Sequence, residues 1–339
     1  MTSALDARRG SDYSVLARRI KQSGLLARRP GYYVARIALV VALYVGGWAA
    51  LAVVGSSWWA LAIAAGLGVA YAQVALVAHD LAHGQVFRGR AAAARAGLIV
   101  GNLGIGMSYG WWMDKHTRHH ANPNHEDEDP DVDPDILVWS QRQAQQATGV
   151  ARFMGRWQAF LFFPLLLLEG FNLHVSSARG LHRSSLKRRA LETVLLYSHF
   201  VVYPAAVFLL LSPGVAIGFI LVHQAVFGLY LGSTFAPNHK GMPMLTAEDD
   251  LDYLRRQVLT SRNIAGGRWL DVLYGGLNYQ IEHHLFPNMP SPNLRKARPI
   301  IEAYCEEIGV PYVATGVVDS YARALRHLHA AGAPLRSNE

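Results

Sequence analysis

Three short stretches of this chain repeat one pattern, histidines spaced so that a helix would stack them on a single face. His79 and His83 stand at i and i+4 in "HDLAHG", and His116, His119 and His120 at i, i+3 and i+4 in "HTRHH". "QIEHH" repeats the second spacing with Gln280, His283 and His284, and a further histidine, His239, lies in "FAPNHKG". Neutral imidazole is a ligand for Fe, Zn, Cu and Ni, and spacing alone does not choose among them. A single zinc takes about four ligands, so this many imidazoles at one place imply at least two metal ions. Carboxylate-bridged di-iron bundles would show Glu with Glu-x-x-His on facing helices, a pattern the chain lacks. Asp80, Asp114 and Glu282 each lie within two residues of a box. They are candidate acceptors for the free ring N–H of a ligating histidine, with solvated helix charges as the alternative. Cys305 is the one cysteine, which excludes an intrachain disulfide and a thiolate site.

Membrane topology is what would gather these groups. The 339 residues are 51% hydrophobic and 17% charged, against roughly 25% charged in soluble domains. Four apolar stretches, Val34 to Val54, Trp58 to Ala78, Ala190 to Leu211 and Val215 to Ala236, are long enough to cross a bilayer, which takes about 20 helical residues. "GSS" (55 to 57) and "SPG" (212 to 214) join them in pairs. The expected fold is all-α and integral to the membrane, four transmembrane helices in two hairpins with a cytoplasmic helical cap holding a dinuclear metal site. All 32 Lys and Arg fall in the segment through Arg36, in residues 79 to 189, or in residues 237 to 339. The positive-inside rule then places both termini, the central loop and the site in the cytoplasm. Tyr32 and Tyr33 mark the inner edge of the first span, Trp58 and Trp59 the outer edge of the second. Spans two and four both descend toward the cytoplasm and release His79, His83 and His239 there. Gly97 to Trp112 and Trp157 to Val175 are apolar but interrupted by Gly, Pro or Glu, and fit re-entrant or interfacial segments. A true span at the first would strand the second box on the far side.

Along the chain, residues 1–31 read as a cytoplasmic lead-in, with Leu16 and Ile20 on a short helix lying on the membrane surface. Residues 32–292 form the four-span domain, and residues 293–339 a helical tail with an amphipathic stretch from Asp319 to Ala331. The first apolar run starts too late and runs too long for a signal peptide, so none is expected. The net charge of +8 is spread over every cytoplasmic segment, which suits lipid headgroups rather than nucleic acid. "EDEDPDVDPD" (126 to 135) lacks the Gly and terminal Glu of an EF-hand and reads as a Pro-punctuated acidic loop near the site. His125 stands outside the box spacing, and His174, His182, His327 and His329 read as surface or interface residues. His199, His223 and Gln224 are polar groups within spans, which either line a buried tunnel or bond between helices.

The order H-x3-H, H-x2-HH and Q-x2-HH at the cytoplasmic edge of four spans resembles the membrane-bound fatty acid desaturases, in particular the group whose third box opens with Gln (front-end, acyl-lipid or acyl-CoA type). The likeness runs from about Gly31 to past Pro292. It implies a non-haem centre of two Fe ligated by His79, His83, His116, His119, His120, His283 and His284, with His239 as the additional ligand after the last span. O2 as co-substrate and two electrons would remove two hydrogens from adjacent methylenes of a fatty acyl chain, leaving a cis double bond and water. An unactivated methylene offers no acidic proton, so a metal-based oxidant fits the chemistry. Gln280 stands where many relatives have His, and is a weak amide ligand, a nearby hydrogen-bond donor or a spacer. Asn238 adjoins His239, whereas some relatives place an Asn four residues earlier, where this chain has Phe235. The resemblance also implies an acyl tunnel, for which Gln73, His223 and Gln224 are candidates, and a substrate carried as acyl-CoA, on acyl-carrier protein or in a membrane lipid. The chain has no Gly-rich nucleotide fingerprint and no HPGG motif, so electrons are expected from a separate ferredoxin or cytochrome b5-type donor with its NAD(P)H reductase, and the basic face would steer an acidic ferredoxin. One rival reading is an acyl-chain or carotenoid hydroxylase. Another is a metal transporter, although transporters bind ions near the bilayer midplane and these clusters lie outside it.

Overall fold

A computed structural model describes residues 9–182 and 186–336. In chain order its helices are α1 (Arg9–Gln22), α2 (Pro30–Val54), α3 (Ala60–Ala82), α4 (Arg90–Leu98, extended by a π-helical turn, Ile99–Gly104), α5 (Tyr109–Ala121), α6 (Gln141–Gln146), α7 (Gly149–Leu166) and α8 (Glu169–Gly180). There follow α9 (Arg189–Leu210), α10 (Pro213–His239), α11 (Tyr253–Leu259), α12 (Arg268–Leu273), α13 (Gln280–Leu285), α14 (Ser291–Glu307), α15 (Val317–Ala331) and α16 (Ala333–Arg336). Two three-residue strands, β1 (Asn263–Ala265) and β2 (Ala314–Gly316), pair in parallel with Asn263 opposite Ala314. So short a ladder leaves no period for the sequence to display.

The four helices long and apolar enough to span a bilayer are α2, α3, α9 and α10, with mean hydropathy from 1.8 to 2.4. They coincide with the four expected stretches. The two doubtful patches are both broken. α7 and α8 bend by 89° at their junction, where Pro164 withholds a backbone donor from the last turn. Gly97 to Trp112 turns at Gly106, whose φ of 67° puts it in the left-handed region, and the Met107 amide closes the turn on the Gly101 carbonyl at 2.9 Å.

Contacts divide the chain into two compact units. The unit of residues 29–114 and 163–233 holds most of the spans, packed through Leu51, Leu67, Val207 and Phe219. The loops after α2 and α9 meet through Ser56 and Ser212, 2.7 Å apart. Small residues let backbones touch. A Cβ on Gly68 would lie 2.8 Å from the His223 carbonyl, and one on Gly228 only 2.4 Å from the Gly170 nitrogen.

The other unit, whose described residues are 9–28, 115–162 and 234–336, is built on a core of Leu254, Val258, Ile281, Leu285, Leu294 and Ile301. Leu16 and Ile20 are fully buried in this same core. The apolar stripe of α1, expected to lie on lipid, is therefore covered by protein. Amphipathic periodicity records that one face needs an apolar partner and is silent on which partner it gets. α15 joins the unit through its Leu328 carbonyl, which accepts from Gln158 Nε2 at 2.7 Å. Residues 9–28 of the lead-in and the described part of the tail thus pack in one unit with residues 115–162 and 234–292.

Candidate metal centre

Six of the predicted histidines belong to one unit. α5 carries His116, His119 and His120 on one face, α10 ends at His239, and the single-turn α13 carries His283 and His284. So short a helix needs outside support, and Asn263 supplies it. Its Oδ1 accepts from the Ile281 amide at 3.0 Å while its Nδ2 donates to Glu282 at 2.7 Å.

His119, His239 and His284 form a first cluster, all buried, with ligand atoms within 4.8 Å of one another. Each Nδ1 is held. His119 donates to Asp129, 3.0 Å from both carboxylate oxygens. His239 donates to the Thr260 carbonyl at 3.0 Å, and His284 to Gln257 Oε1 at 2.8 Å. With Nδ1 donating, each ring in its neutral form keeps its lone pair on Nε2, the form a metal requires. His284 Nε2 is buried with no hydrogen-bond partner, a costly arrangement for a polar atom unless something ligates it. Burial, and then the neighbouring His120 and His239, drives the His284 pKa well below the usual range. For His119 burial opposes the charged form, but Asp129 and Asp131 outweigh it and the pKa is raised. The donor set fits a metal ion.

His116, His120 and His283 form a second cluster. His120 Nε2 stands 3.1 Å from His116 Nε2 and 3.1 Å from His283 Nε2. Two nitrogens bound to one ion at about 2.1 Å stand roughly 3.0–3.4 Å apart, from right-angle to tetrahedral geometry, so this spacing also fits. In the other unit, the His79 and His83 rings lie 4.6 Å apart at the end of α3, and burial, then His79, depresses the His83 pKa.

The acidic neighbours differ from expectation. Asp129, inside the Pro-punctuated acidic loop, is fully buried and is the carboxylate that holds a histidine. It also accepts from the Asn124 and Asp131 amides at 2.7 and 2.9 Å. Asp129 and Asp131 approach His119 closely enough to suggest a further ion, but Asp131 pairs with Lys115 at 2.9 Å, and the trio reads as a brace. Glu282 does not orient a ring. It accepts from Asn263 and from Tyr312 at 2.6 Å, and burial lifts its pKa to about 7 against those bonds. Asp80 is 3.6 Å from His79 Nδ1, too long for a good hydrogen bond, and Asp114 is half-buried on α5. Sequence reasoning missed Asp129, Gln257 and Thr260. Thr260 acts through its carbonyl, which no side-chain pattern can flag. Gln257 sits one turn from nothing recognisable, while Asp129, followed by Pro130, carried a turn signal only.

Gln280 Nε2 lies 2.9 Å from His239 Nε2, and Asn238 Nδ2 lies 3.1 Å from Gln280 Oε1. Of the tunnel candidates, Gln224 lines a cavity of about 350 Å3 together with Phe171, His174, His199 and Phe200. Gln73 instead donates to Tyr230 at 2.6 Å, and His223 pairs with Tyr203 at 2.9 Å.

The family model described as fatty acid desaturase matches residues 56–316. The chain belongs to the fatty acid desaturase family. It is 29% identical to an acyl-lipid (9-3)-desaturase of Physcomitrium patens, over 88% of this chain and 58% of the relative. It is 28% identical to a Delta(8)-fatty-acid desaturase of Helianthus annuus, over 96% of this chain and 74% of the relative, and 28% identical to a Delta(6)-fatty-acid desaturase of Caenorhabditis elegans, over 80% and 64%. The chain thus spans between 58% and 74% of the length of these relatives. With four apolar spans in a membrane desaturase family, this member is an integral membrane protein, and its histidine clusters are a candidate metal-binding site.

Proposed function

We propose that the protein is a fatty acyl desaturase acting on neighbouring methylenes of a fatty acyl chain. The observation that carries this is the gathering of five box histidines and His239 into two clusters, three of whose rings have Nδ1 tied off, in a chain of this family. His79 and His83 are proposed to complete the ligand set, from their spacing and from the family. Two irons held there would supply, with O2 and two electrons, the oxidising power that an unactivated C–H bond demands, ending in a cis double bond and water.

The chain's own residues do the rest. Asp129, the Thr260 carbonyl and Gln257 keep the Nδ1 protons of three rings in place, which fixes both tautomer and ring direction. Burial of His119, His239, His283 and His284 excludes bulk water from a reactive site. Asn263 and Tyr312 hold Glu282, and with it α13, against the strand β1. The proposed architecture is two hairpins, α2 with α3 and α9 with α10, bearing a cytoplasmic cap with both termini inside. The substrate is proposed as an acyl-CoA, an acyl-carrier protein conjugate or an acyl-lipid, and the electron donor as a ferredoxin or cytochrome b5-type protein with its reductase.

The test is expression in a host without polyunsaturated lipids, with new double bonds located by mass spectrometry. A double bond absent from His119→Ala and His284→Ala, together with loss of iron in both, is the expected result. Full activity at normal iron content in either variant contradicts the site, and an added hydroxyl in place of a double bond contradicts the reaction.

A further inference from the structure

The amides of Asn238 and Gln280 have directions that the surrounding carbonyls dictate. Asn238 Nδ2 donates to two main-chain oxygens, of Thr234 at 3.2 Å and of Leu277 at 3.0 Å. A carbonyl oxygen can only accept, so this end of Asn238 must be its NH2 group. The same NH2 lies 3.1 Å from one end of the Gln280 amide, which must therefore be the oxygen. Gln280 is thereby turned with its NH2 toward His239 Nε2, 2.9 Å away. The His239 ring is fixed by the same logic, because Nδ1 donates to the Thr260 carbonyl and Nε2 keeps its lone pair.

Without a metal, Gln280 donates to that lone pair. With a metal on His239 the lone pair is used, and the amide N–H faces the coordination position beside it. To ligate through oxygen, Gln280 would have to turn over, setting NH2 against the NH2 of Asn238, and Asn238 cannot turn without pointing its oxygen at two carbonyls.

We propose that Gln280 is not a metal ligand but a hydrogen-bond donor to the exchangeable, non-protein ligand of the ion on His239, and that Asn238 is the positioning residue that aims it. This rests on the metal-binding reading above. It replaces the ligand, donor and spacer alternatives with one role of definite polarity.

The experiment uses the full chain loaded with iron or cobalt(II), metal content by elemental analysis, and azide as the exchangeable anion, titrated by its absorption bands. Gln280→Leu and Gln280→Glu should both retain the metal content of the unaltered chain while binding azide about tenfold or more weakly, the loss expected for a hydrogen bond to a charged group. Metal lost in Gln280→Leu but kept in Gln280→Glu would make the side chain an oxygen ligand and overturn the proposal. Unchanged azide affinity in both would make it a spacer and overturn it equally. An unaltered chain that takes up no metal would overturn the metal reading and this proposal with it, an outcome distinct from the other two.

Discussion

Asp129 is fully buried, yet it accepts from His119 and from two backbone amides, so its charge is well compensated. Replacing it by Asn keeps the shape but weakens the grip on the His119 ring, and metal affinity should fall roughly 10- to 100-fold with the fold intact. Competition with a chelator measures this, and unchanged affinity would remove Asp129 from the site. Cys305 offers a second residue-scale check. Burial lifts its thiol pKa to about 12, whereas an unfolded thiol ionises near 8.5. Between these values the unfolded chain sheds a proton that the folded chain keeps, so this group's contribution to stability is whole below about pH 8.5 and declines as pH rises toward 12. A maleimide at pH 8 should label folded protein far more slowly than denatured protein, and equal rates would contradict the burial. At this scale the clustered histidines were legible because imidazoles repeated at helical spacing leave a pattern in the chain. Their supports were not, because a carbonyl such as that of Thr260 belongs to any residue, and Asp129 acts from ten positions away along a loop.

The spans were legible as elements because a bilayer demands an apolar run of fixed length, and α2, α3, α9 and α10 each provide one. α1 was legible as an amphipathic helix but not in its destination, since lipid and the protein core ask the same pattern of it. The contact between α10 and the bend joining α7 to α8 shows what hydropathy cannot convey. At Gly228 a Cβ would stand 2.4 Å from the Gly170 nitrogen and 2.6 Å from the Leu166 carbonyl, and neither backbone atom can rotate aside. Gly228→Leu should therefore cost at least about 1–3 kcal/mol through overpacking, read as a lower thermal midpoint in detergent. Gly66→Ala on α3, where a new Cβ meets nothing within 4 Å, is the control and should leave the midpoint unchanged or slightly raised, because Ala is the better helix former. Equal midpoints for the unaltered chain and the Leu variant would show that the helices can part there at no cost.

For the whole molecule, the proposed function depends on every box histidine reaching one side of the membrane, which makes topology the most exposed part of the reading. The basic residues argue for a cytoplasmic site, because all of them fall in segments that the rule retains inside. Topology is testable with one cysteine at a time after Cys305→Ser has cleared the background. Asp135 and Lys296 are exposed in the structure, and Trp58, 69% exposed, opens the turn before α3. In spheroplasts, a membrane-impermeant maleimide should label a cysteine at Trp58 directly, and cysteines at Asp135 and Lys296 only after the membrane is opened. Labelling of Asp135 and Lys296 from opposite sides would separate the loop after the second histidine box from the helix after the third, leaving no common centre for their imidazoles. Labelling of both from outside would keep the centre but invert it, and would place its electron donor outside the cytoplasm.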